Sequence, residues 1–291
     1  MISRAFIFLF FGITSSVIAQ SDFRIESEYK LDVPAHIEDD MWSYISEGKI
    51  LKEIDYQGGL TSEVSEEQFL DVYFDDDKHS LYAQDVGLRY RKRFVNDELL
   101  KVLIQLKTPL ELDGVARNEI KFDVKKSMES DDLQARHPFL RYIKKKNREE
   151  LDYYLRKFGT TALEMDHSLS LTQTRKRLYI ADSISALATI TLDYVRNNSF
   201  PFQRFTELEL ELNEIRYTNA SAEEKMKMEA FNEALKKSLF ANFPQLTQDQ
   251  TPKYSKLKSV IDESWLSFLY INWMWIVWML IGLIALIKLV S

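Results

Sequence analysis

The chain has 291 residues, of which 45% are hydrophobic and 29% are charged, and its formal net charge is -7. This composition excludes a wholly disordered chain and provides no basic excess that would favour a nucleic-acid duplex as partner. Cysteine is absent, and the four histidines lack metalloprotease spacing. Disulfides, zinc–thiolate sites and a cysteine nucleophile are therefore excluded, and a histidine-based metal site is disfavoured.

The first predicted element is a signal peptide over residues 1–19. Arg4 precedes an apolar run over residues 5–13, and Ala19 ends the segment. A basic start, a short apolar stretch and a small residue at the cleavage position are typical of secretory signals, and the run is short for a membrane span. We therefore expect residues 22–260 to form one exported domain, with a buried N-terminal strand as the alternative for the apolar run.

Six segments of this domain alternate with a period of two, which is typical of β-strands. Their polar faces are Arg24, Glu26, Glu28 and Lys30; Arg89, Arg91 and Arg93; Lys101, Gln105 and Lys107; Arg117, Glu119, Lys121 and Asp123; Thr189, Thr191 and Asp193; and Glu207, Glu209 and Glu211. Helices are predicted over 34–47 and within 131–158. A capping box at Ser221 and Glu224 predicts another helix that reaches about Ala241.

The chain ends in an almost wholly apolar stretch over 265–290, rich in tryptophan and with Lys288 as its only charge. The stretch predicts one transmembrane helix. Together with the signal peptide it predicts a membrane-anchored domain on the exported (periplasmic or extracytoplasmic) side. Lys253, Lys256 and Lys258 would then lie outside, against the positive-inside tendency. Without a signal peptide, the domain would lie on the cytoplasmic face of the membrane.

Like charges are stacked along the predicted strands. Residues i and i+2 lie roughly 6.5–7 Å apart, and each like-charged pair costs on the order of 2 kcal/mol at an effective dielectric constant of about 20. A solvent-facing sheet tolerates this cost, and that ordinary interpretation stays open. In an enclosed interior, opposite charges or bound ions must offset it. Stacked carboxylates suit Mg²⁺ or Mn²⁺ and clustered Arg and Lys suit phosphate, so the pattern indicates a metal–phosphate site.

Several short motifs follow one another along the chain. They are Glu26-x-Glu28-x-Lys30, Tyr73-Phe74-Asp75, Leu88-Arg89-x-Arg91, Gln105-Leu106-Lys107, Arg117-x-Glu119, Arg175-x-Arg177, Leu192-Asp193, Glu207-x-Glu209-x-Glu211 and Tyr254-Ser255-Lys256. In this order they resemble the CYTH domains, or triphosphate tunnel metalloenzymes, over residues 24–258. Two positions depart from the family pattern. Lys121 stands where a second acid is frequent, and Asp76 stands where threonine is usual.

The resemblance implies an α+β fold, mainly antiparallel β, in which eight strands close into a tunnel-like barrel with flanking helices; the transmembrane helix would follow it. It implies hydrolysis of a triphosphate or polyphosphate with Mg²⁺ or Mn²⁺ as cofactor. The implied metal ligands are Glu26, Glu28, Asp193, Glu207, Glu209 and Glu211, and the implied catalytic residues are Glu26, Glu28 and Glu119. The implied phosphate-binding residues are Lys30, Arg89, Arg91, Lys107, Arg117, Arg175, Arg177 and Lys256.

Other functions stay open at this point. Catalytic domains of vacuolar transporter chaperones share the tunnel architecture beside membrane helices, so the chain also resembles a membrane-linked polyphosphate polymerase. A non-catalytic module that binds polyphosphate or nucleotide is a further alternative, and the family includes one class of adenylyl cyclase. The expected partners are a triphosphate or polyphosphate and, through the C-terminal helix, the membrane. The sequence indicates no protein partner.

Overall fold

The structure is a computed structural model that describes most of the chain. The described residues are 22–56, 59–110, 116–124, 127–128, 137–200 and 203–263, together with positions 273, 275, 277, 278 and 281. The predicted signal peptide, residues 1–19, lies outside them. The alternating segments of the sequence form strands, as their period predicts.

Nine strands form one antiparallel sheet. In chain order they are β1 (Asp22–Asp32), β2 (Thr61–Asp75), β3 (Gly87–Val95), β4 (Glu98–Pro109), β5 (Ala116–Asp123), β6 (Asp166–Ala181), β7 (Ala186–Asn197), β8 (Arg204–Leu212) and β9 (Thr247–Gln248). The order across the sheet is β5-β4-β3-β2-β6-β7-β8-β1-β9, and β1 pairs additionally with β5. β2 and β6 form the longest ladder, which runs from Thr61 opposite Ala181 to Asp75 opposite Asp166.

Six α-helices are described beside the sheet. They are α1 (Glu38–Ser46), α2 (Lys49–Lys52), α3 (Lys145–Arg156), α4 (Glu214–Asn219), α5 (Ala222–Asn242) and α6 (Lys253–Glu263). The predicted helices over 34–47 and within 131–158 are confirmed as α1 and α3, each shorter than its range. The Ser221 cap is also confirmed, because its side chain accepts a hydrogen bond from the backbone N–H of Glu224 at 3.2 Å.

Two apolar clusters cover the side of the strands that is opposite to the charged faces. α1, α2 and α5 bury side chains such as Leu208 and Leu210 of β8 in one cluster. α3 packs over β2 to β5 in the other, where Leu88, Tyr90 and Phe122 are buried. Each fully buried side chain of this size contributes about 1.5–3 kcal/mol. Because strand residues alternate in direction, this packing turns the charged residues to the other face.

The predicted closed eight-stranded barrel is wrong. Thr247–Gln248 adds a ninth strand that pairs with Leu31 and Asp32 of β1. The two halves of β1 also have different partners: residues 22–27 pair with β5, and residues 28–32 pair with β8. The fold is therefore a nine-stranded antiparallel sheet, not an eight-stranded barrel closed edge to edge. A strand of only two residues carries no periodic signal, so the sequence could not show it.

The predicted transmembrane helix is not supported either. Within the part of the chain that the structure describes, no helix combines the length and the apolar character that crossing a membrane requires. Most positions of the predicted segment, 265–290, lie outside the described residues.

Candidate functional site

The charged faces of the strands line a cavity of about 820 Å³. Eleven of the predicted site residues line it: Glu28, Lys30, Arg89, Arg91, Lys107, Arg117, Glu119, Arg175, Arg177, Glu209 and Glu211. Several are buried, including Arg89, Glu119 and Glu209. An ordinary sheet face open to solvent, the alternative left by the sequence, does not describe this arrangement.

Four predicted site residues lie elsewhere. Asp193 and Glu207 are fully buried and do not line the cavity. Lys256 lies on α6, where its ammonium contacts Asp32 at 2.6 Å and Glu207 at 3.2 Å. The backbone of Glu26 pairs with Arg117, and its side chain is outside the described part of the structure.

Arg89 and Arg91 of β3 are held by Asp71 of β2, which was not among the predicted site residues. Arg91 donates from Nε and Nη2 to the two carboxylate oxygens of Asp71, both at 2.6 Å. Arg89 donates to Asp71 at 3.2 Å and to Gln105 at 2.8 Å. Asp71 is 0% exposed. Burial would raise its pKa, but Arg91 and Arg89 outweigh burial and hold the pKa of this carboxyl below its ordinary value.

Glu119 of β5 lies among basic side chains. It accepts a hydrogen bond from Gln105 Nε2 at 2.5 Å, and its carboxylate lies 3.9 Å from Lys107 Nζ. Lys121, the residue that departs from the family pattern, forms an ion pair with Glu119. The departure therefore adds a cation directly beside the predicted catalytic acid. Lys107 also lies 3.6 Å from Glu28, so β1, β4 and β5 meet in one network of charges.

A buried acidic cluster consists of Asp193, Glu207 and Glu209, of which Glu209 also lines the cavity. Arg175 forms a two-pronged contact with Asp193 at 2.7 and 2.5 Å and reaches Glu209 at 3.0 Å. Lys253 of α6 also enters the cluster, 2.5 Å from Glu209 Oε1 and 2.6 Å from Glu207 Oε1. Although burial opposes it, the attraction of these carboxylates holds the pKa of Lys253 well above its ordinary value.

The chemistry of these residues decides where a metal ion would fit. Carboxylate oxygens suit Mg²⁺ and Mn²⁺. Yet no group of three or more acidic or histidine residues in the described ranges is arranged to hold a metal ion. In the acidic cluster, the ammonium of Lys253 occupies the position between the carboxylates that a metal ion would take. On the cavity wall, Glu28 of β1 lies opposite Glu211 of β8 in the strand register, and both line the cavity. Like charges at directly opposite positions destabilise a strand pair unless a cation offsets them.

One end of the cavity has a different character. Its lining there includes Leu212, Asn213, Glu214, Ile215, Thr218 and Asn219, at the end of β8 and on α4. Ile215 is 75% exposed. This mostly uncharged rim continues from the charged interior. The cavity therefore offers a charged surface that suits phosphate and a less polar surface that suits an organic group.

Asp71 was not predicted as a site residue, and Lys253 was considered only for its bearing on membrane topology. Both had a signal in the sequence. Asp71 interrupts an otherwise apolar run between Phe69 and Phe74. Lys253 and Lys256 are three residues apart, a spacing that places both on one face of a helix.

Three solved structures of low sequence identity resemble the chain. HpAC1 from Hippeastrum, an adenylyl cyclase candidate with a dominant triphosphatase activity, is 15% identical with a TM-score of 0.49, over 80% of this chain and 95% of that chain. PH1819 from Pyrococcus horikoshii is 16% identical with a TM-score of 0.45, over 82% and 99%. An adenylate cyclase candidate from Bacillus halodurans is 17% identical with a TM-score of 0.43, over 74% and 90%.

A comparison with curated protein sequences found no match. A family model described as the CYTH domain matches residues 47–238, which is more than half of the chain. The matched range includes the basic strands β3 to β6 and the acidic strand β8. The Glu26-to-Lys30 motif and Lys256 lie outside it. The chain belongs to the CYTH domain family.

Proposed function

We propose that the chain hydrolyses a triphosphate inside the charged cavity. The observation that carries this proposal is the concentration of lysine and arginine on one enclosed face, where buried carboxylates hold several of them in place. Arginine grips phosphate oxygens through its planar fork, and lysine acts as a point charge. Membership in the CYTH domain family supports the proposal, because the members known as triphosphate tunnel metalloenzymes act on triphosphates.

The basic residues fall into two groups with different tasks. Arg89 and Arg91 are fixed by Asp71, so they would present a rigid, pre-arranged surface to one part of the phosphate chain. Lys107 and Arg117 are less buried and would bind another part. Glu119, held by Gln105, would keep Lys107 in position and orient the attacking water.

A divalent ion, Mg²⁺ or Mn²⁺, belongs to the proposal as cofactor. Glu28 and Glu211 would hold it, because they lie opposite each other on β1 and β8 and both line the cavity. When bound, such an ion would neutralise phosphate charge. Glu28 also lies 3.0 Å from Lys30, so the same carboxylate would keep a phosphate-binding lysine in place.

The mostly uncharged rim at Leu212 to Asn219 favours a substrate that carries an organic group on its triphosphate. The cavity of about 820 Å³ continues beyond the basic residues to Ile215 and its neighbours. A nucleoside or similar group would lie against this rim while the phosphates occupy the interior. Inorganic tripolyphosphate would leave the rim unused.

The test is phosphate release by the full-length protein from ATP, thiamine triphosphate and tripolyphosphate, each with Mg²⁺, with Mn²⁺ and with a chelator. We expect release that requires a divalent ion and is faster with an organic triphosphate. Lys107→Ala is expected to lower kcat/KM about 10- to 100-fold, because a hydrogen bond to a charged group contributes roughly 1.5–3 kcal/mol.

The matched control is Lys92→Ala, since Lys92 lies between Arg91 and Arg93 on β3 and, by strand alternation, points away from the cavity. It should retain wild-type activity. Equal losses in the two variants would contradict the placement of Lys107. Tight binding of a triphosphate with no release under any ion would contradict hydrolysis and support a binding module.

A further inference from the structure

The ammonium of Lys253 lies inside the buried acidic cluster at contact distance from all of its members. Its Nζ atom is 2.5 Å from Glu209, 2.6 Å from Glu207 and 3.1 Å from Asp193. Lys253 itself is 7% exposed, and it also lines the cavity. A single buried cation thus joins three carboxylates from two strands.

Other basic side chains also contact the cluster. Besides Lys253, the three carboxylates contact Arg175, Lys30 and Lys256. Two of these bases are shared with other acids, because Lys30 lies 3.0 Å from Glu28 and Lys256 lies 2.6 Å from Asp32. A divalent ion entering here would have to displace the Lys253 ammonium from its carboxylate contacts.

The start of α6 fixes Lys253 in this position. The ring of Tyr254 stacks on Tyr73 with centroids 5.0 Å apart, and its hydroxyl donates to Asp75 at 2.9 Å. Ser255 donates to Asp85 at 3.1 Å. These contacts hold the backbone at the start of α6, from which the Lys253 side chain reaches the cluster.

We infer that Lys253 is the resident cation of the Asp193–Glu207–Glu209 cluster and occupies the position between these carboxylates in place of a metal ion. Lys253 is then both a structural cation and a phosphate-facing charge. The inference deepens the proposed function and rests on it for the phosphate substrate. Its test uses no substrate.

The experiment is a titration of the metal-free, full-length protein with Mn²⁺ alone, followed by the electron paramagnetic resonance signal of free Mn²⁺. The wild type should show no site that depends on the cluster, and Glu209→Gln should leave its Mn²⁺ binding unchanged. Lys253→Met should gain one site, roughly a hundredfold tighter than any wild-type site. The double variant Lys253→Met with Glu209→Gln should lose that site again.

The matched control is Lys145→Met, which removes the same charge from a side chain on α3 that is 89% exposed. It should bind Mn²⁺ as the wild type does. The inference is overturned if folded Lys253→Met gains no site, or if the wild type has a tight Mn²⁺ site that Glu209→Gln removes. The wild-type comparison stands even if Lys253→Met fails to fold. Phosphate release is measured separately, so a failure of this inference is distinct from a failure of the proposed function.

Discussion

Replacing Asp71 with Asn is expected to lower the free energy of unfolding at pH 7 by about 3–5 kcal/mol, the cost of removing one partner from a buried ion pair. Asp71 is the shared carboxylate of Arg89 and Arg91, and it is fully buried. An amide would remove the carboxylate charge that both guanidinium groups contact. The measurement is urea unfolding followed by circular dichroism.

The loss is also expected to shrink in acid. Because Arg91 and Arg89 outweigh burial, the pKa of Asp71 in the folded protein lies below the ordinary value of 3.8. The unfolded chain therefore binds a proton at Asp71 first as the pH falls. The stability from this carboxylate is fully present above the unfolded pKa and is lost as the pH falls through the folded pKa. Wild type and Asp71→Asn should converge in stability over that window.

The control is Asp97→Asn, which removes a carboxylate from the exposed β3–β4 turn, where asparagine tolerates the backbone φ of 62°. It should unfold like the wild type at pH 7. A loss below about 1 kcal/mol for Asp71→Asn, the size expected of an exposed pair, would show that the arginines do not depend on Asp71.

Arg175→Met is expected to have the second largest effect, again about 3–5 kcal/mol at pH 7 by the same physical argument. Its guanidinium contacts Asp193 with two nitrogens and Glu209 with one. Asp193 is fully buried, so the loss leaves a carboxylate that water cannot reach. Lys253 would remain 3.1 Å from Asp193, which keeps the loss from being larger. Urea unfolding is again the measurement.

Two further variants make the Arg175 result specific. Arg175→Lys keeps the charge but loses the planar fork, so it should recover part of the lost stability. Lys176→Met changes the next residue of β6, which faces Trp42 and Tyr194 on the opposite side, and should cost little. Equal losses for Arg175→Met and Lys176→Met would contradict the role given to the two-pronged contact.

The alternation of charged and apolar residues was enough to predict which side chains share the cavity. Period-two patterns fix the face of a strand residue, and Arg89, Arg91, Lys107 and Glu119 all lie where that pattern places them. The same pattern could not reveal the partners of these residues. Pairing between distant strands depends on sheet order, and the contact between Arg91 and Asp71 joins β3 to β2 only after the sheet has formed.

The two longest strands, β2 and β6, had the weakest strand pattern in the sequence. The first half of β2, from Thr61 to Gln68, is largely exposed and polar, so it carries little alternation. It becomes a strand because its backbone pairs with β6 along the whole ladder. The contacts of Lys253 could not be predicted from the sequence for a related reason. A lysine before an apolar segment is usually solvated, and only the docking of α6 against the sheet brings it to three buried acids.

The central claim is that the enclosed charged face binds a triphosphate, and calorimetric titration of the full-length wild type with tripolyphosphate tests it most directly. Because charge–charge contacts dominate the cavity, we expect saturable binding to one site that is far tighter than binding of orthophosphate and that weakens as salt is raised. The absence of saturable binding at millimolar tripolyphosphate, or an affinity equal to that of orthophosphate, would contradict the account.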